Sequence, residues 1–192
     1  MKKLIVFAAC AMLAAVTQAA SVGWGLAGAN AYAGDAYQFF VIGQNGASSI
    51  ATITALLDAG TDTSSYAFGS GAVAANGSAN VGFASSGKEL SAGTYESFFV
   101  VFDSETPTAG SSKYAVVSGA ANLTKTIGTS TASISFTAGN QGTYLNDSSN
   151  WNAFGDSTPT PGPGPTPGIP EPTSGLLLLV GGALLGLRRR RA

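Results

Sequence analysis

Thr94-Tyr95-Glu96-Ser97-Phe98-Phe99-Val100-Val101-Phe102 is the most strand-like run in this chain of 192 residues. Successive side chains of a strand point to opposite faces, so the five apolar residues from Phe98 to Phe102 cannot share one side. Aromatic and β-branched residues fit a pleated surface, and an unbroken run of them predicts a strand covered on both faces. Ala36–Ile42, with Tyr37, Phe39, Phe40, Val41 and Ile42, reads the same way, as does Lys113–Ser118 with Tyr114, Val116 and Val117. Between the second and third of these runs in chain order, Asp103–Ser112 carries Pro107 and Gly110 and predicts a hairpin-like connection. Ala132–Thr137 alternates instead, with Ala132, Ile134 and Phe136 on one side, which predicts a strand with one wet face.

Ser48–Gly60 departs from this pattern. Ile50, Ile53 and Leu57 recur at a helical period, serines stand at the start and Gly60 just past the end. The β-branched Ile50, Thr52, Ile53 and Thr54 oppose the helix, but the period and both termini favour it. Long helical patterns between strands are missing, so residues 20–156 read as an all-β domain. The expected architecture is a single antiparallel β-sandwich or jelly-roll-like domain with one short helix.

Composition narrows the chemistry. The chain has no His and one Cys, Cys10, which removes the commonest general base and leaves almost nothing for zinc sites, disulfides or thiol nucleophiles. Its formal charge of −1 hides an asymmetry, because six of the nine basic residues are Lys2, Lys3 and Arg188–Arg191 at the two ends. From Ala20 to Ile169, three lysines face nine acids, a net −6. Nucleic acid is therefore not an expected partner, since no basic stripe exists to meet phosphates.

The N-terminus has Lys2-Lys3, an apolar run Leu4–Val16 and Thr17-Gln18-Ala19-Ala20. A cationic start, a short apolar stretch and small residues before the junction predict a secretory signal peptide over residues 1–19, cut after Ala19. Thirteen helical residues reach only about 20 Å, short of a bilayer core. Phe7-Ala8-Ala9-Cys10 has a weak likeness to a lipoprotein box, but it lies inside the run that must first insert. After the cut no cysteine remains, so the domain must fold on packing alone.

Seven of the eight prolines lie between Pro159 and Pro172. Residues 157–169, rich in Pro, Gly and Thr, therefore predict an extended spacer of about 40 Å. Pro170-Glu171-Pro172 follows, then an uncharged stretch over 173–187, then Arg188, Arg189, Arg190 and Arg191. Fifteen helical residues span about 22 Å, enough for a membrane helix only if the arginines snorkel to the headgroups. The arginines predict a cytoplasmic end and place everything before the span outside.

This end, residues 170–192, together with the signal peptide, resembles the PEP-CTERM sorting signal of exopolysaccharide-producing Gram-negative bacteria. The resemblance rests on Pro170-Glu171-Pro172, the Leu/Gly-rich stretch Gly175–Leu187 and the Arg tail. It implies a substrate of an exosortase-type membrane enzyme, with Pro170, Glu171 and Pro172 as recognition motif, 173–187 as temporary transmembrane helix and Arg188–Arg191 as stop-transfer signal. It also implies an inner-membrane precursor that ends at the cell surface or outside, with exopolysaccharide as a candidate partner. A simple tail-anchored membrane protein is the plainer alternative.

Candidate sites in the domain are weaker. Nucleophilic catalysis without His or Cys would need Ser with Lys, and sugar hydrolysis needs two placed carboxylates. Glu89 with Glu96, and Asp103 with Glu105, have no supporting motif, so the expectation is a non-enzymatic protein with a structural or interaction role. Asp58 with Asp62, or Asp103 with Glu105, would be Ca²⁺ donors, but their spacing matches no EF-hand loop; no cofactor is called for. Trp24, Tyr144 and Trp151 sit among Gly, Asn and Ser, where exposed rings could stack on a sugar and Asn150 or Asn152 bond its hydroxyls. The competing expectation for these rings is core packing. The alternative functions are a surface carbohydrate-binding module and a secreted hydrolase.

Overall fold

The computed structural model describes residues 18–155. The signal peptide, apart from its last two residues, and the segments read as linker, sorting motif, membrane helix and Arg tail lie outside the described residues.

The chain is built mainly of strands: β1 (Ala20–Ala27), β2 (Ala36–Val41), β3 (Gly69–Ala72), β4 (Ala79–Val81), β5 (Glu89–Leu90), β6 (Gly93–Phe102), β7 (Lys113–Val117), β8 (Thr124–Ile127), β9 (Ser133–Asn140) and β10 (Trp151–Ala153). Helices are short: α1 (Ile50–Asp58), α2 (Phe83–Ser86) and α3 (Gly142–Leu145). The domain is all-β, with two sheets. In the first, β1 is central, pairing antiparallel with β4 and β5 and parallel with β9. The second runs β10-β7-β6-β2-β3 and is antiparallel, with β8 joined to the first half of β6.

The β1–β9 pair corrects the expectation of a purely antiparallel domain. Val22 lies opposite Ile134 and Trp24 opposite Phe136, running in the same direction. Parallel neighbours need a long crossover, and more than a hundred residues separate these strands. A strand spacing of that kind is invisible to a local reading.

β6 explains the unbroken apolar run. Phe99 and Val101 enter a core shared with β1 and β9, whereas Phe98, Val100 and Phe102 enter a second core with Ile53 and Leu57 of α1. Side chains from the two faces of this sheet thus enter two different clusters, one with residues of β1 and β9 and one with residues of α1. Phe98–Phe102 are all buried, each large side chain contributing about 1.5–3 kcal/mol on leaving water. β2 splits the same way, Tyr37, Phe39 and Val41 facing the first core and Phe40 the second.

The helix forms where its period places it. Ser49 accepts the Thr52 backbone N–H at 3.0 Å, and Gly60, just beyond the C-terminus, takes φ +70°. Ile53 and Leu57 are its fully buried positions, and their burial offsets the poor helix propensity of its β-branched residues. The Asp103–Ser112 connection joins β6 to β7 as an antiparallel hairpin. Gly110 of that connection donates its N–H to the Phe154 carbonyl at 2.7 Å, tying the hairpin to the C-terminal end of the domain.

Gly69 on β3 meets a close approach. The Trp24 ring occupies the space where a Cβ on Gly69 would stand. Trp24 is held there by a stack on Phe39 (5.1 Å between centroids), an edge contact with Phe68 and an Nε1–H bond to the Tyr37 hydroxyl at 3.3 Å.

Candidate functional site

The three rings read as candidate sugar contacts do not meet as a site. Trp24 is only 4% exposed and packed in the first core, so its ring offers little surface for a sugar to stack on. Of the two expectations for this ring, core packing fits its burial: Gly69 on β3 leaves the space that the ring occupies. Tyr144, on α3, is half-buried and donates its hydroxyl to the Val116 carbonyl at 2.8 Å, and burial raises its pKa. Asn150 donates to the Tyr144 carbonyl at 2.9 Å, so its amide is also used internally.

Trp151 remains partly open. It begins β10, donates Nε1–H to the Leu145 carbonyl at 2.7 Å and packs at 4.4 Å against Tyr32. The Tyr32 hydroxyl donates to the same carbonyl at 3.0 Å. Two rings from opposite ends of the domain thus clamp the end of α3. Tyr32 was not singled out from the sequence, although Asn30-Ala31-Tyr32-Ala33-Gly34 has the same small, polar surroundings that marked the other rings. Beside the pair lies a cleft of about 170 Å³ lined by Tyr32, Trp151, Asp103, Lys113, Asn146 and Ser148.

The cleft has an acidic flank. The Asp103 carboxylate accepts the Lys113 backbone N–H at 2.6 Å. Burial, then the charges of Asp103 and Asp35, raise the Tyr32 pKa. Burial, then the charges of Asp103 and Glu105, raise that of Asp35. A carboxyl whose folded pKa lies above its ordinary 3.8 holds its proton more tightly in the folded state. Stability therefore falls as pH rises from the unfolded pKa through the folded one, and that loss persists at higher pH. Asp35→Asn is expected to raise the melting temperature at neutral pH, with no difference from wild type well below 3.8; parallel thermal melts check this. Because Asp35 is still partly solvated, the gain is expected to be small.

Asp58 and Asp62 are committed to hydrogen bonds within the domain. Asp58 accepts the Tyr114 hydroxyl at 2.5 Å, and burial, followed by this bond and the Asp58 charge, pushes the Tyr114 pKa well up. Asp62 caps its own turn, accepting the backbone N–H and hydroxyl of Ser64 at 2.8 and 2.9 Å. Among the described residues no three His, Cys, Asp or Glu side chains converge in a metal-ligating group. Glu89 and Glu96 stand on β5 and β6, in different sheets. Pro170, Glu171, Pro172 and Arg188–Arg191 lie outside the described residues.

A larger cavity, about 410 Å³, opens past the C-terminal end of α1, on the sheet face that carries the second core. Its floor includes Gln38 of β2, opposite Ser70 of β3, and its wall the Asp62–Ser64 turn. No protein-family model, curated protein or solved structure matches the chain.

Proposed function

We propose that the chain is an exported, non-enzymatic protein of the cell surface or extracellular matrix, sorted by an exosortase-type enzyme. One observation carries the reading: the folded unit lies between the two addressing segments. β1 starts at Ala20, the residue after the expected signal-peptide cut, and the last described strand, β10, ends at Ala153, ahead of the Pro-rich segment. Ala20 is fully buried at the start of a central strand, so the domain uses the chain up to the cut. The prolines of Pro170-Glu171-Pro172 favour an extended backbone, which suits a protease cleft.

The membrane stretch 173–187 serves as a temporary anchor, and the processed protein is released or transferred outward from a Gram-negative inner membrane. The two sheets form the layers of a β-sandwich, a reading supported by the core to which β1 and β9 on one side and β2, β6 and β7 on the other all contribute. Without disulfides, that aromatic core is what stabilises the domain outside the cell.

Mass spectrometry of the extracellular fraction is expected to find a chain that begins at Ala20 and lacks Arg188–Arg191. An intact Arg tail on the outer protein would sink the processing step. A surface carbohydrate-binding role, with exopolysaccharide as ligand, is the second reading; the half-open Tyr32–Trp151 pair favours it. Loss of sugar binding on Trp151→Ala would support that reading.

A further inference from the structure

The 410 Å³ cavity holds a built polar corner that no role described so far uses. Thr63 is 1% exposed and donates its hydroxyl to Gln38 Oε1 at 2.6 Å. One end of the Gln38 amide is thereby fixed from beneath. Its Nε2 makes no hydrogen bond to the described residues, and no buried side-chain nitrogen there lacks a partner, so this NH₂ group is an accessible donor on a residue that lines the cavity. Asp62 stands in the same cavity, its carboxylate oriented by both Ser64 donors. Ser70, the cross-strand neighbour of Gln38, adds a hydroxyl. Phe102, Phe154 and Pro107 supply an apolar side.

An amide donor and a carboxylate acceptor lining one cavity suit a group that both accepts and donates within one small unit. Adjacent hydroxyls of a sugar ring do this, and the ring's C–H face suits the apolar side. Among the described residues lining the cavity none is basic, while Asp62 brings a negative charge, which disfavours phosphates and sugar acids. The volume falls in the range of about 300–1,000 Å³ usual for small-molecule sites. We infer that this cavity binds a neutral sugar, holding a vicinal diol between the Gln38 amide and the Asp62 carboxylate.

The site is distinct from the Tyr32–Trp151 cleft and shares no lining residue with it. It goes beyond the sorting reading: binding is measured on purified chain, processing on exported chain, so either can fail alone. The test uses the full chain in a zwitterionic, sugar-free detergent, titrated with glucose, galactose and mannose by saturation-transfer NMR, with glucuronate as the charged comparison. At least one hexose is expected to bind saturably in the millimolar range, and glucuronate more weakly.

Gln38→Glu keeps an acceptor for Thr63 but replaces the NH₂ donor with a second negative group, and is expected to weaken binding about tenfold. Asp62→Asn retains an oxygen for the Ser64 turn and is expected to weaken binding in the same direction; it decides the matter should Gln38→Glu not fold. Trp151→Ala should leave the affinity unchanged. Absence of saturable binding for all three hexoses overturns the inference, as does binding that survives the folded Gln38 and Asp62 variants. Loss on Trp151→Ala alone would also overturn it, moving the ligand to the aromatic cleft.

Discussion

Phe39→Ala is expected to lower the unfolding free energy by about 3–5 kcal/mol, a large share of the roughly 5–15 kcal/mol that holds an ordinary domain folded. Phe39 has no exposed surface and touches four other rings: Trp24 at 5.1 Å, Phe99 at 4.9 Å, Phe136 at 5.8 Å and Phe68 at 6.2 Å. Trp24 and Phe136 belong to one sheet, Phe39 and Phe99 to the other, so Phe39 contacts rings of both sheets. Truncation removes the ring's transfer energy and leaves a cavity whose walls, strands paired on both sides, cannot collapse. Urea unfolding followed by tryptophan fluorescence reads the loss, and Trp24, no longer stacked, should report it directly. A midpoint shift worth less than about 1 kcal/mol would show that the aromatic cluster is not what holds the sheets together. Phe39→Leu, which keeps most of the volume, should cost under about 1.5 kcal/mol.

Gly69→Ala is expected to cost about 1–3 kcal/mol, although it adds a single methyl. The backbone there is ordinary, so the cost is steric and not conformational. The obstacle is the far end of the Trp24 ring, which in an open site would swing aside cheaply. Here the ring is 4% exposed, stacked on Phe39, met edge-on by Phe68 and bonded to Tyr37, and β3 is pinned to β2 through register from Ala36–Ala72 to Phe39–Gly69. Neither partner can move without breaking contacts elsewhere. Trp24→Leu should remove the obstacle, so the double variant should lose less than the sum of the two single losses, by about 0.5–3 kcal/mol. Gly82→Ala, where nothing lies within 4 Å of the new methyl, is the control and should stay within about 0.5 kcal/mol of wild type. Additive losses at Gly69 and Trp24 would contradict the close-approach account.

The elements legible in the sequence were those with a strong local signature. Phe98–Phe102 announced a strand covered on both faces, and the structure supplies the two covers, β1 with β9 and α1. Ser49 and Gly60 marked the helix ends because capping is a matter of a few adjacent residues. β1 was not singled out, although Ala20, Val22, Trp24 and Leu26 alternate with Ser21, Gly23, Gly25 and Ala27. Its glycines weaken strand propensity, and only burial on both sides makes them suitable. The same glycines left Trp24 open to two readings, surface ring or core residue, and it is buried. Small polar neighbours look like a surface setting, but glycine also lets another layer approach closely.

Sites were less legible than elements. The Tyr32–Trp151 pair joins positions over a hundred residues apart, and no spacing rule links them. Gln38, Thr63 and Asp62 carry no motif either; what makes them a candidate site is the register of β2 with β3 and the turn after α1.

From the sequence alone came the all-β class, the hairpin, the capped helix and the case for addressing segments at both ends. These rest on periodicity, capping and composition, which act over a few residues or a single segment. The tertiary structure alone decided that β1 and β9 run parallel, that Trp24 belongs to the core, and that a buried threonine bonds a glutamine amide in a cavity also lined by an aspartate. Such contacts depend on which distant strands pair and in what register, and a shift of one residue would turn Gln38 to the opposite face.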